Sequence, residues 1–146
     1  MILEIKYKQY VIVPKRPIMS KGKIASQVAH ATFMALENQK KNIEAESDWI
    51  PTYGHEIIDN WKENGMCVIV LQCGNPIELM GIAKYLKQWR IPHHLYVDEG
   101  ITEIPMGTPT ALSTGVMCEE DFWMLSTMKL YGTAEKKANF FRRMLK

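Results

Sequence analysis

The chain has 146 residues, 47% of them hydrophobic and 23% charged, with a formal net charge of +2, which suits one soluble domain around one core. No apolar run approaches the roughly 20 residues of a membrane-spanning helix, so no membrane partner is expected. The opening Met1-Ile2-Leu3-Glu4-Ile5-Lys6 lacks a signal-peptide layout, and the scattered Cys67, Cys73 and Cys118 lack metal-ligand spacing, so reduced thiols, no metal and a cytoplasmic setting are expected.

Charge is uneven along the chain. Residues 1–24 and 129–146 each carry six basic and one acidic residue, whereas 25–128 hold six basic against fourteen acidic. Basic ends on an acidic body suit contact with nucleic acid, and equally suit solvation.

Tyr10-Val11-Ile12-Val13, closed by Pro14 and Pro17, reads as a buried strand feeding a helix over 20–37. Ser20 is its candidate N-cap. At about 100° per residue, Lys23, Gln27, His30 and Met34 fall on one stripe. Ile24, Ala25, Val28, Ala29, Ala31, Thr32, Ala35 and Leu36 cover the opposite side, which is expected to pack inward. A cation, an amide and an imidazole in line are unusual for a solvated face, although an ordinary wet stripe accounts for them as well. Gly22-Lys23 is not a phosphate loop, because Pro17 stands where the first glycine belongs and Ile24 follows the lysine.

Residues 38–54 are polar and aperiodic, a surface excursion. His55 to Glu63 has helical spacing and ends near Asn64-Gly65. Met66 to Leu71 is the best candidate for a central strand. Asn75-Pro76 caps a helix over Ile77 to Trp89. Pro92 to Val97 is a third strand, whose His93-His94 are read as structural. It stops at Asp98-Glu99-Gly100, followed by a turn-rich loop to Pro109, a strand over Thr110 to Val116 and a closing helix over Glu119 to Met128. This order predicts an α/β fold: a three-layer sandwich with a central four-stranded mixed sheet and helices on both faces. Beyond Gly132, residues 132–146 read as a basic amphipathic extension to a domain over 1–131.

An acidic residue closing a strand before a long turn is a common place for a site in α/β proteins. Asp98, Thr102, Thr108 and Thr110 supply one carboxylate and three hydroxyls. The same groups also suit an ordinary capped turn.

Two segments together resemble the type II peptidyl-tRNA hydrolases. They are Met19-Ser20-Lys21-Gly22-Lys23-Ile24-Ala25, running on to Gln27-Val28-Ala29-His30-Ala31, and Asp98 with Gly100, Thr102, Ile104, Gly107, Thr108 and Thr110. The likeness spans Lys8 to Tyr131, with the stretch at 38–54 as an insertion. It implies a four-stranded mixed sheet, often in a homodimer, and hydrolysis of the ester between peptide and tRNA without a cofactor. It also implies Lys23, Asp98 and Thr108 as catalytic residues, with Gln27, His30, Thr102 and Thr110 contacting peptidyl-tRNA. On chemical grounds Asp98 would orient the attacking water, Lys23 would supply positive charge and the threonines would hold the 3′ end. A lysine beside Asp98 would lower its pKa, which favours positioning over strong base catalysis.

The family's second motif usually reads Asp-Ala-Gly-Arg-Thr-Gln-Ile, whereas this chain carries Glu99, Ile101 and Glu103 in place of Ala, Arg and Gln. The more negative loop is expected to weaken contact with RNA phosphates. It leaves a second reading, a relative that kept the fold as an RNA- or protein-binding module.

Overall fold

The short β-branched run near the N-terminus forms the middle of the sheet. In the computed structural model, which describes residues 6–44, 54–100 and 103–133, β1 (Tyr7–Pro14) leads to α1 (Lys21–Glu44), then α2 (His55–Glu63) and β2 (Val68–Cys73). After these come α3 (Pro76–Gln88), β3 (His93–Val97), β4 (Pro109–Thr114) and β5 (Met117–Cys118). Two 3₁₀ turns, Glu119–Asp121 and Trp123–Thr127, precede β6 (Lys129–Leu130). The strand order is β3-β4-β1-β2-β6, with β5 paired to the start of β1. Among the described residues only β1 and β2 run parallel, and the other pairings are antiparallel. The mixed α/β sandwich is as expected. The strands beyond the anticipated four are β5 and β6, each of two residues, too short to leave a periodic signal.

Alternation along β1 builds two cores. Tyr10 and Ile12 point into one with Leu71 and Leu112, covered by Ile57, Ile58 and Trp61 of α2 and by Leu79, Ile82 and Leu86 of α3. Val11 and Val13 point into the other with Ala111, Met19, Ile104 and Ala31 of α1. All four β1 residues are fully buried. No described helix is long and apolar enough to cross a membrane.

Two expected elements differ. The excursion does not begin at residue 38, because α1 continues to Glu44. Residues 38–44 lack proline and glycine, and Gln39 is buried, accepting from the Val116 amide (2.8 Å) and donating to the Val116 carbonyl (3.1 Å). The rest of the proposed insertion, 45–53, lies outside the described residues, as does 134–146 of the proposed extension. The closing helix is instead a pair of 3₁₀ turns. Burial of Phe122 takes its backbone to an extended conformation (φ −145°, ψ 91°), which interrupts the α-helical ladder.

The two long helices begin differently. In α3 the Asn75 side chain accepts from the Glu78 amide (2.9 Å), while the Glu78 carboxylate accepts from the Gly74 amide (2.6 Å). That is a capping arrangement closed within five residues. In α1 the Ser20 hydroxyl accepts from the Lys23 amide (3.2 Å). The third helical position therefore holds a lysine and returns no carboxylate.

Candidate functional site

Capping by Ser20 places Lys23 in the first turn of α1, and β3 carries Asp98 to the same end of the sheet. The Lys23 Nζ lies 2.6 Å from Asp98 Oδ1, with the two side chains only 8% and 6% exposed. Asp98 Oδ2 accepts from the Gly100 amide (3.0 Å). Main-chain bonds from Asp98 N to Thr108 O and from Gly107 N to Asp98 O, both 2.9 Å, close the loop beneath it. The hydrogen bond from Lys23, chiefly, holds the Asp98 carboxyl below the usual carboxylate range. The Gly100 amide and the lysine charge act in the same direction, and desolvation opposes them. Asp98 is thus a persistent carboxylate and a weak base.

Gln27 and Thr110 lie beside the pair but turn toward each other. The Thr110 hydroxyl donates to Gln27 Oε1 (2.5 Å), and both residues are buried. The arrangement ties α1 to β4. The Thr108 hydroxyl donates to the Pro105 carbonyl (2.7 Å), the local turn bond that was the alternative for these threonines. Thr102 lies outside the described residues.

His30 is exposed and stacks on Tyr96 of β3, with ring centroids 4.9 Å apart and planes at 27°. Tyr96 was missed, although it stands near the end of β3, two positions before Asp98.

The inward face of α1 is rotated from the expected one. Gln27, Ala31, Ala35 and Gln39 are buried, whereas Ala25, Ala29 and His30 are exposed and Phe33 is 63% exposed. Small residues fit either face, so alanine spacing carried little information.

Glu103 was counted only as an added negative charge. Its Oε2 accepts from the Ser20 amide (2.9 Å) and its Oε1 from the Ser20 hydroxyl (2.5 Å). These bonds, with the Lys23 charge contributing and desolvation opposing, hold its carboxyl below the usual range. Among the described residues no three His, Cys, Asp or Glu side chains gather as a metal set.

A model of the family described as Peptidyl-tRNA hydrolase PTH2 matches residues 7–129. The chain is 37% identical over 116 residues to the peptidyl-tRNA hydrolase of Thermococcus onnurineus, covering 79% of this chain and 88% of that protein. It is 32% identical over 115 residues to the peptidyl-tRNA hydrolase of Methanopyrus kandleri, covering 79% and 89% respectively. A similar match, 35% over 116 residues, links it to the peptidyl-tRNA hydrolase of Staphylothermus marinus, covering 79% and 86%.

Proposed function

This chain belongs to the Peptidyl-tRNA hydrolase PTH2 family, and from that premise we propose that it hydrolyses peptidyl-tRNA at the Lys23–Asp98 pair. The reaction is a carboxylic ester hydrolysis. Water adds to the ester carbonyl, the bond to the tRNA ribose oxygen breaks, and a proton passes to that oxygen as tRNA is freed. A module that binds without turnover is not favoured, since the relatives carry the name of the hydrolase.

The observation that supports the assignment is the 2.6 Å contact between an ammonium on α1 and a carboxylate closing β3. The depressed pKa of Asp98 makes it an orienter of the attacking water more than a strong base. The Lys23 ammonium carries the charge that a developing oxyanion needs. An ester requires less assistance than an amide, so positioning and electrostatics suffice.

Substrate reaches the pair through the small part left accessible, 8% of the Lys23 side chain and 6% of the Asp98 side chain. Thr108 lines that approach with an oxygen that still accepts, since its proton is directed to Pro105. His30, exposed on its Tyr96 support, offers a ring face to the 3′ end of the tRNA. Gln27 and Thr110 act as positioning residues, holding α1 on β4 so that Lys23 meets Asp98. Thr102 keeps the substrate contact implied by its place in the motif. A homodimer and a cytoplasmic setting belong to the same proposal, and sedimentation equilibrium tests the first.

The assay is release of the blocked amino acid from N-blocked aminoacyl-tRNA by wild type, Lys23→Ala and Asp98→Asn, with folding checked by circular dichroism. Each substitution is expected to lower kcat by about 100-fold or more. Turnover equal to wild type in either folded variant overturns the assignment.

A further inference from the structure

We infer that Glu103 is a positioning residue for the reaction: it supplies from the loop the capping carboxylate that α1 cannot carry itself. The inference rests on the site proposed above and deepens it. A helix that opens with serine is commonly closed by a glutamate three residues on, which returns a hydrogen bond to the cap amide. α3 closes its own start locally, through Asn75 and Glu78. In α1 the equivalent position is Lys23, the ammonium the site needs, and one position cannot hold both a cation and an anion.

Glu103 resolves the conflict from 83 residues away. Its carboxylate takes both the amide and the hydroxyl of Ser20, and that hydroxyl in turn accepts from the Lys23 amide. The first turn of α1 is therefore held by the same loop that begins at Asp98. Glu103 precedes Ile104, which is buried against Val13 and Ala31, so the loop is seated in the core on one side of the contact. Two cross-links, Lys23–Asp98 and Ser20–Glu103, span the same two segments. The second fixes the direction from which the lysine reaches the aspartate.

A loss at Glu103 thus acts on catalysis through geometry. The test compares Glu103→Ala, Glu103→Gln and Ser20→Ala with wild type in turnover of N-blocked aminoacyl-tRNA across pH, with melting curves for each. Glu103→Gln is isosteric at an exposed position and keeps an oxygen for the Ser20 amide, so it secures a folded variant. The expected result for Glu103→Ala is a fall in kcat of about tenfold or more with KM within about twofold of wild type. The acid limb of its kcat/KM profile moves to higher pH, because Asp98 loses part of its support from Lys23. Ser20→Ala changes in the same direction, and Glu103→Gln recovers most of kcat.

Wild-type kcat and acid limb in Glu103→Ala overturn the inference, and so does a Gln variant as impaired as Ala. Lys23→Ala and Asp98→Asn run alongside keep the two levels apart. Their full activity refutes the site itself, whereas their inactivity beside a normal Glu103→Ala refutes only the positioning role.

Discussion

Thr110 and Gln27 satisfy each other: the hydroxyl on β4 donates to the amide oxygen on α1, and both residues are shut away from water. The bond joins the helix to the sheet through two residues whose sequence motif implies substrate contact. Thr110→Val removes the donor and leaves the Gln27 oxygen buried without it, a cost of about 1–3 kcal/mol in unfolding free energy. Gln27→Leu should cost a similar amount, and the double variant should lose less than the two single losses combined. Urea unfolding of all four proteins measures this. A raised KM with unchanged stability would return the two residues to substrate contact.

The pH dependence follows from the sign of the Asp98 shift. Its folded pKa lies below the unfolded value of about 3.9. The stability contributed by the ionised pair is therefore present above that unfolded value and is lost only as pH falls through the lower folded pKa. The acid limb of kcat/KM in wild type should accordingly lie below the usual carboxylate range. In Lys23→Ala the remaining activity should have its limb displaced upward. An unmoved limb would mean that the titrating group is not Asp98.

Gly100 separates space from conformation. It has φ +76°, its amide holds Asp98 Oδ2, and an added Cβ would meet the Met106 backbone at 2.5 Å. Gly107, in the same loop at φ +84°, has nothing within 4 Å of such a carbon. Gly107→Ala should cost about 1–2 kcal/mol of left-handed strain and little activity. Gly100→Ala must also move the turn, which releases Asp98, so its kcat should fall further than its melting temperature indicates. Comparable kcat losses in the two variants would contradict this account.

Gln39 tests whether the extra turns of α1 matter. Gln39→Ala strands both main-chain groups of Val116 and leaves a cavity, for an expected loss of about 2–4 kcal/mol. Denaturant midpoints give the answer, and a loss under about 0.5 kcal/mol would make that contact incidental.

What could be read in advance was local. The apolar runs of β1 and β2, the Asn75 cap, the Lys23 motif and the Asp98 motif each announce themselves within about a dozen residues. The inward face of α1 did not, because Ala25 and Ala29 resemble Ala31 and Ala35 until a sheet is laid against one pair. Gln27 and Gln39 looked wet because their partners lie 83 and 77 residues away. Glu103 was invisible for the same reason: its role is set by Ser20, and no spacing rule links the two. The polar run after residue 37 looked like loop because its composition was read without the contact that buries Gln39.

Lys23 stands at the positive end of a 24-residue helix, where backbone dipoles repel a cation. Two carboxylates from a distant loop are committed near that one ammonium. The enzyme therefore holds its charge in a place where folding alone would not put one. Laboratory evolution that rewards only thermal resistance should drift away from lysine at this position, and the hardier descendants should no longer release tRNA.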